Sequence, residues 1–438
     1  MPAAQGIVAP SVRAVSEASH EQPSRLSRRL GTFDAVVIGL GSMIGAGVFA
    51  AIGPAAAAAG GGLLIGLALA AVVAYCNATS SAQLAARYPE SGGTYVYGRE
   101  RLGSLWGYLA GWGFVVGKTA SCAAIALTFA SYAGASHTGD GEYARPLAVG
   151  AVVAMTTVNY FGVRKTALLT RVIVSVVLAS LAAVIAACFF GGEADIDNIG
   201  SLTSEGLHGI LQSAGFLFFA FAGYARIATL GEEVKNPRKT IPRAIPIALG
   251  ITLLVYAAVA LAALLAVGPR ALARSTAPLT TAVQAGSLEW LAPAVRIGAT
   301  VATLGVLLSL LAGVSRTTFA MAANRDLPVW LGAVHARHRV PYRAEMTIGA
   351  VVVVVALFAD LRGAIGFSSF AVLTYYAIAN AAAWTLSPEE RRRPRAIAAV
   401  GLFGCVALGA SLPLSSIAGG CGVLAIGVAA WLVATSRR

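Results

Sequence analysis

Long apolar runs, separated by short clusters of basic residues, prolines and glycines, dominate this chain of 438 residues. Residues 35–86 and 244–269 contain no Asp, Glu, Lys or Arg. A helix that spans a bilayer needs roughly 20 apolar residues in a row, and both runs exceed that length. Because backbone polar groups in lipid must be paired within their own segment, such runs predict transmembrane helices. We therefore expect an all-α integral membrane protein.

The apolar runs divide into twelve predicted transmembrane helices. The division between the first two, at "PAAAAAGGG", is the least marked by hydropathy. The predicted spans are residues 34–58, 63–86, 102–132, 145–162, 168–190, 208–231, 242–267, 292–322, 344–360, 364–386, 396–412 and 416–435. An even number of spans places both ends of the chain on the same side of the membrane.

The distribution of Lys and Arg between the loops predicts the orientation. With the N-terminus inside, the loops on that side hold 25 basic residues and the loops on the opposite side hold four. Basic residues are retained in cytoplasmic loops, so this asymmetry predicts that both termini are cytoplasmic. We expect a multi-pass protein of the plasma (cytoplasmic) membrane, with residues 1–33 forming a polar cytoplasmic tail.

The composition agrees with lipid as the solvent. The chain is 57% hydrophobic and only 12% charged, against roughly 25% charged residues in soluble proteins. The net charge of +13 follows from the basic inner loops, so we expect no nucleic-acid partner. The oligomeric state has no signal in the sequence.

The sequence pattern offers no candidate for catalytic or metal chemistry. The five cysteines lie in apolar runs without CxxC spacing, and the histidines lie in the tail, in loops or at span ends. This pattern speaks against disulfides and a metal site. We expect no catalytic residues, no metal and no cofactor, and therefore no enzyme.

Two predicted spans carry glycines near a point where the helix would break. The first contains "GLGSMIGAGVF", residues 39–49, and the sixth contains "FLFFAFAGYARIATLGEEV", residues 216–234. They occupy equivalent places in two sets of five spans, 1–5 and 6–10. Paired interrupted segments at equivalent places are the best sequence indication of a transporter site between inverted repeats.

A broken helix exposes backbone groups that suit a zwitterion. Free N–H groups at the start of one half-helix attract a carboxylate, and free carbonyls at the end of another accept from an ammonium. An α-amino acid carries both groups on one carbon. A Rossmann turn does not fit, since no strand precedes the glycines. Close helix packing through Gly41 and Gly45, a GxxxG pair, remains an alternative.

Four blocks resemble the amino acid–polyamine–organocation (APC) superfamily, and bacterial amino acid permeases in particular. They are "GSMIGAGVF" in the first span, "YPESGGTYVY" with "GYLAGW" before and in the third, "FFAFAGYARIATLGEEVKNPRKTIPRAI" at the sixth, and "SRTTFAMAANRDLPVWLGAVHARHRVPYRA" after the eighth. The resemblance covers about residues 31–385. It implies a LeuT/APC-type fold with a 5+5 inverted repeat: residues 34–190 and 208–386, discontinuous helices 1 and 6, and two further helices at 396–435.

The resemblance also implies a substrate site, carried over position by position. The amides of Ala46, Gly47 and Val48, beside Gly45, match positions that hold the substrate carboxylate. The carbonyls of four residues match positions that receive its ammonium: Met43, Phe219, Ala220 and Ala222. Phe221 and Tyr224, on either side of Gly223, resemble gate or pocket-wall positions, with ordinary aromatic packing as the alternative.

Departures from the family pattern bear on substrate and coupling. Acids that the family often places in spans three and six are replaced here by Gly117 and Ala225, and a lysine of span five by Val177. Without a deep carboxylate a cationic side chain is poorly compensated, which favours a neutral amino acid. An anionic amino acid is the alternative if Lys118 or Arg226 faces the cavity. Lys118 and Arg226 are the coupling candidates, and a structural ion pair is the alternative for each.

The sequence therefore predicts a secondary active amino acid transporter that takes up a neutral amino acid by alternating access. We expect the proton as the coupling ion, with sodium the weaker candidate. An exchanger or exporter, or a sensor that binds an amino acid without moving it, are the alternatives. The expected partners are the amino acid substrate and the lipid bilayer.

Overall fold

The computed structural model describes residues 30–88, 92–134, 143–162, 167–228, 230 and 233–436, without the side chains of Ala167, Ala228 and Arg238. Most of the tail predicted at 1–33 therefore lies outside the described residues. Within them the chain is helical and forms no strand; Leu30 and Val234 make an isolated parallel bridge.

Sixteen α-helices follow one another along the described chain. They are α1 Thr32–Met43, α2 Gly47–Ala59, α3 Leu63–Arg87, α4 Thr94–Leu102, α5 Ser104–Gly134, α6 Ala144–Tyr160, α7 Ala167–Phe190, α8 Gly206–Phe221, α9 Ala225–Ala228, α10 Pro237–Arg274, α11 Pro278–Gln284, α12 Ala292–Ala323, α13 Tyr342–Phe358, α14 Leu361–Trp384, α15 Arg395–Ala410 and α16 Leu414–Ser436. Short 3₁₀ turns connect several of them, at Gly60–Gly62, Ile196–Ile199, Ala222–Tyr224, Glu289–Leu291 and Val329–Gly332.

Eight helical stretches of the described chain are long and apolar enough to cross a membrane. They are Gly47–Arg87, Ser104–Gly134, Leu168–Phe190, Gly206–Ile227, Lys239–Arg274, Glu289–Ala323, Leu361–Trp384 and Leu414–Ser436. Each of the twelve predicted spans coincides with a helix or with a helix interrupted at a break. The protein is thus an all-helical membrane protein, while the count of twelve crossings stays a prediction.

Glycine and proline set several helix boundaries that the hydropathy pattern marks only weakly. Gly60 ends α2 with a φ of 57°, a left-handed conformation that glycine adopts without steric cost. This separates α2 from α3 at the least marked of the predicted divisions. Gly268, with a φ of 73°, interrupts α10 one residue beyond the predicted end of the seventh span. Pro237 begins α10, where its missing N–H is not needed.

Helix α5 runs through the middle of the bundle and packs against α4, α6, α12 and α14. The broken helices lie beside it: α2 packs along α8, and α1 packs along α7 and α10. Helix α3 packs against α8, α10 and α15, whereas α16 is exposed along most of its length. This arrangement places the two predicted breaks in the buried centre of the molecule.

Candidate functional site

The first predicted break is present in the structure. Helix α1 ends at Met43 and α2 begins at Gly47, and residues 44–46 form a turn between them. The amide of Ile44 closes α1 by donating to the carbonyl of Leu40 at 2.7 Å. The whole segment from Met43 to Val48 is buried. The backbone therefore leaves the helical ladder inside the protein, away from lipid.

The second predicted break lies in the segment after α8. Helix α8 ends at Phe221, the chain passes through a 3₁₀ turn at Ala222–Tyr224, and α9 continues for one turn. Phe221, Ala222 and Tyr224 are buried, and Phe219 and Gly223 are partly buried. Both interruptions thus fall at the residues that the glycine pattern indicates.

The two breaks pack directly against each other through glycines. A Cβ atom on Gly47 would lie 2.5 Å from the Cα of Ala220, and one on Gly223 would lie 2.3 Å from the carbonyl oxygen of Ser42. Contacts this short leave room for hydrogen only. The start of α2 therefore rests on the end of α8, while the turn after α8 rests on the end of α1.

Close helix packing, the alternative considered for these glycines, is also present. A Cβ on Gly45 would lie 2.2 Å from a side-chain carbon of Val306, and one on Gly41 would lie 3.0 Å from Val174. The glycines of this region therefore allow both the contact between the two breaks and the close packing of α1 against its neighbouring helices. The two explanations are not exclusive.

The start of α2 provides donors without intrahelical acceptors. In any α-helix the first N–H groups have no partner in the preceding turn, and they carry partial positive charge. In α2 these groups belong to Gly47 and Val48, with Ala46 as the residue that precedes the helix and no side chain capping it. This end of α2 can hold a carboxylate.

The ends of α1 and α8 provide the matching acceptors, and a tyrosine that the sequence did not single out bridges them. The hydroxyl of Tyr256, on α10, lies 2.5 Å from the carbonyl oxygen of Met43 and 3.2 Å from that of Ala220. The hydroxyl of Tyr376, on α14, lies 3.4 Å from the carbonyl oxygen of Ala222. Three of the four carbonyls assigned to an ammonium therefore already accept from a phenol.

Aromatic rings enclose this carbonyl end. Phe221 lies 5.2 Å from the ring of Tyr256, and Tyr224 lies 5.1 Å from the ring of Tyr376, between centroids. All four side chains are at most 2% exposed. Phe221 and Tyr224 are thus walls of a closed centre, an arrangement that serves a gate and ordinary aromatic packing equally well.

Lys118 lies on a buried face of α5. It is 7% exposed, and it follows Val115 by three residues and precedes Cys122 by four, so the three side chains share one helical face. Val115 and Cys122 pack in the same apolar cluster as Ala46. No carboxylate pairs with Lys118 within the described residues.

Arg226, the other coupling candidate, lies apart from Lys118. Its side chain, on α9, is 42% exposed and approaches Glu233 at 3.8 Å. Beside this pair the chain before α1 meets the chain after α9: Leu30 donates to the carbonyl of Glu233 at 3.1 Å and accepts from the amide of Lys235 at 2.8 Å. Glu232 and the side chain of Arg238, which belong to the same segment of the sequence, lie outside the described residues.

Glu345 is a buried acid that the sequence pattern did not single out. It lies in the first turn of α13, is 3% exposed, and is in contact with Asn159 of α6. A single carboxylate near the start of an apolar helix carries no periodic signal, so only the fold reveals its burial. No group of three or more His, Cys, Asp or Glu side chains suited to a metal ion occurs in the described part of the chain.

Comparison with known proteins shows the family of this chain. The family model of the amino acid permeases matches residues 34–388. An uncharacterized transporter of Mycobacterium tuberculosis is 63% identical over 409 residues, which cover 93% of this chain and 92% of that protein. The branched-chain amino acid permease BcaP of Bacillus subtilis is 27% identical over 86% of this chain and 84% of its own. The human cationic amino acid transporter 4 is 28% identical over 80% of this chain and 58% of its own. The model match spans most of the chain, both breaks included, and the protein therefore belongs to the amino acid permease family.

Proposed function

We propose that this amino acid transporter takes up a neutral amino acid by alternating access, driven by a proton gradient. The observation that carries the proposal is the reciprocal contact of the two breaks, Gly47 on Ala220 and Gly223 on Ser42. This contact brings the donor end of α2 beside the acceptor ends of α1 and α8. Backbone N–H donors on one side of this buried point and carbonyl acceptors on the other suit the carboxylate and the ammonium of one α-amino acid.

The proposed architecture has twelve spans, with both termini in the cytoplasm and the protein in the plasma membrane. Residues 34–190 and 208–386 form the two inverted repeats, and residues 396–435 add two helices. In support, an interrupted helix begins each set of five: α1 with α2, and α8 with α9. The substrate then lies at the interface of the repeats.

The expected site residues are those at the two breaks. The amides of Ala46, Gly47 and Val48, next to Gly45, hold the carboxylate. The carbonyls of Met43, Phe219, Ala220 and Ala222 receive the ammonium, alongside the hydroxyls of Tyr256 and Tyr376. These main-chain contacts recognise any α-amino acid and leave the side chain of the substrate to Phe221, Tyr224 and the residues opposite.

The charges support a neutral substrate. Among the described residues Lys118 and Glu345 are the charged residues that are buried as a whole. The buried carboxylate of Asp326 pairs with Arg99, and Glu345 is placed with Asn159 of α6. A guanidinium or ammonium side chain beside Lys118 would meet a like charge in a medium of low dielectric constant. A neutral amino acid avoids that repulsion.

Coupling is proposed to run through Lys118, which gains and loses a proton during the cycle. A buried lysine without a carboxylate partner is destabilised in its charged form, a condition under which lysine exchanges protons. Arg226 is the weaker candidate, because its side chain is already paired and partly exposed. No cofactor enters the proposal, and sodium ranks behind the proton.

Uptake by purified protein in liposomes tests these points. Neutral amino acids should compete with one another for uptake, and an inward proton gradient should accelerate it. Competition by arginine and diamines alone would contradict the neutral substrate. Stimulation by internal substrate without a gradient would make the protein an exchanger, and binding without any uptake would make it a sensor.

A further inference from the structure

Tyr256 gives the carbonyl end of the candidate site a donor that belongs to the protein itself. Its hydroxyl lies 2.5 Å from the carbonyl oxygen of Met43 and 3.2 Å from that of Ala220. Both of these residues are buried. A carbonyl at the end of a helix has no partner in its own helical ladder, and an unpaired polar group is costly in a buried place. The hydroxyl therefore allows the two breaks to pack together with these carbonyls paired by the protein alone.

Packing fixes the position of this hydroxyl. Helix α10, which carries Tyr256, packs along both α1 and α2. The ring of Tyr256 lies 5.2 Å from that of Phe221, the last residue of α8, between centroids. One turn earlier on α10, the hydroxyl of Thr252 donates to the Sδ atom of Met43 at 3.9 Å. The phenol is therefore held where the ends of α1 and α8 meet α10.

A phenol satisfies these carbonyls less completely than an ammonium does. The hydroxyl of Tyr256 has one proton for two carbonyls, and it lies closer to that of Met43. An ammonium has three N–H donors, and hydrogen bonds from a charged group are roughly twice as strong as neutral ones. Because each carbonyl oxygen has two lone pairs, it can accept from an ammonium alongside the phenol. A substrate therefore strengthens a junction that the protein already pairs by itself.

The start of α2, on the other side of the site, lacks such a side chain. No side-chain hydrogen bond caps this helix, which begins at Gly47. The carboxylate of a substrate thus meets amides without a side-chain partner, whereas its ammonium meets carbonyls that already have one. Of the two charged groups of an amino acid, the ammonium is the one for which the protein holds a substitute.

We propose that the hydroxyl of Tyr256 takes the place of the substrate ammonium while the transporter returns without substrate. The inference rests on the proposed function, in which an ammonium binds at these carbonyls and the protein carries out net uptake. Every cycle of net uptake includes one closure of the breaks without substrate, whereas exchange has substrate at each closure. Without a donor for Met43 and Ala220, closure without substrate would bury two unpaired carbonyls. Tyr256 is thus a positioning residue for the return step.

Transport by Tyr256→Phe in liposomes, with radiolabelled leucine as the probe, separates the two steps. Net uptake is measured with leucine outside only, and exchange with a saturating concentration of unlabelled leucine inside. The cost of an unpaired buried carbonyl predicts net uptake roughly 5- to 150-fold slower than in the unmodified protein. Exchange should continue at the unmodified rate, because leucine supplies the ammonium at every closure. A role of the hydroxyl in folding alone would lower both rates together.

Two further variants complete the test. Tyr108→Phe, at a tyrosine of α5 that is 1% exposed, is the matched control and should change neither rate. Tyr376→Phe removes a donor that lies 3.4 Å from the carbonyl oxygen of Ala222. Because this contact is longer, the variant should slow net uptake by less than Tyr256→Phe does and leave exchange unchanged.

The outcomes separate this inference from the proposed function. Unchanged net uptake in Tyr256→Phe overturns the inference while uptake by the unmodified protein stands. The same holds if Tyr256→Phe and Tyr376→Phe both slow exchange as much as net uptake. Exchange without net uptake in the unmodified protein overturns the inference together with the proposed uptake.

Discussion

Tyr256 offers the sharpest test of the carbonyl end of the site. Its hydroxyl is the donor that bridges the Met43 and Ala220 carbonyls, at 2.5 and 3.2 Å, and the side chain is 2% exposed. Tyr256→Phe removes the donor and keeps the ring that contacts Phe221. The two carbonyls then lose a partner in a place that water does not reach.

The expected cost follows from the burial of these groups. Leaving a buried polar group unpaired costs about 1–3 kcal/mol. The free energy of unfolding of the substrate-free variant should fall by about that amount. A bound amino acid restores a donor to the same carbonyls, so ligand should stabilise the variant more than it stabilises the unmodified protein.

Titration with sodium dodecyl sulfate in mixed micelles, with and without a transported amino acid, measures both quantities. Tyr108→Phe is the control, since Tyr108 is 1% exposed and no hydrogen bond of its hydroxyl is found in the described chain. Equal stability of Tyr256→Phe and unmodified protein without ligand would refute the role of the hydroxyl. If Tyr256→Phe loses the expected stability but ligand stabilises it no more than it stabilises the unmodified protein, the ammonium does not bind at these carbonyls.

Three other substitutions test separate parts of the structure. Gly47→Ala sets a Cβ atom 2.5 Å from the backbone of α8, so the free energies of unfolding and of substrate binding of the purified protein should each weaken by about 1–3 kcal/mol. Gly313→Ala, in open space within α12, should instead raise the free energy of unfolding by up to about 1 kcal/mol and leave substrate binding unchanged. Lys118→Met should abolish stimulation of uptake by a proton gradient in liposomes while exchange continues; loss of the stimulation in Glu345→Gln instead would move the coupling to α13. The hydrogen bond from Arg101 of α4 holds the pKa of Glu390 at about 2, below its ordinary value of 4.5. The stabilisation that this carboxylate provides is therefore complete above about pH 4.5 and is lost as the pH falls toward 2. In Glu390→Gln the free energy of unfolding should depend less on pH over that range.

The positions of both breaks could be predicted because they leave a local signal. Glycines at 45, 47 and 223 interrupt apolar runs at the points where α1 and α8 end. The long apolar helices could be predicted for the same reason, since lipid imposes length and hydropathy on each segment separately. The glycine breaks and the hydropathy of each helix are set by residues that are close together in the sequence.

The features that the sequence did not reveal depend on residues far apart in the chain. Tyr256 meets Met43 across 213 positions, and Tyr95 of α4 meets Asp326 at 2.7 Å across 231. Nothing in the periodicity of α10 or α4 marks either tyrosine as a partner.

The backbone bridge at Leu30 has a practical consequence for following the transport cycle. Its two hydrogen bonds to Glu233 and Lys235 fasten the beginning of α1 to the segment behind α9. Asp34, four residues along, is held to Arg171 of α7 by a contact of 2.6 Å between side chains only. A pair of spin labels at 30 and 234 should therefore report a constant separation throughout turnover. Labels that join α1 to α7 are the ones in which motion of the first half-helix will be visible.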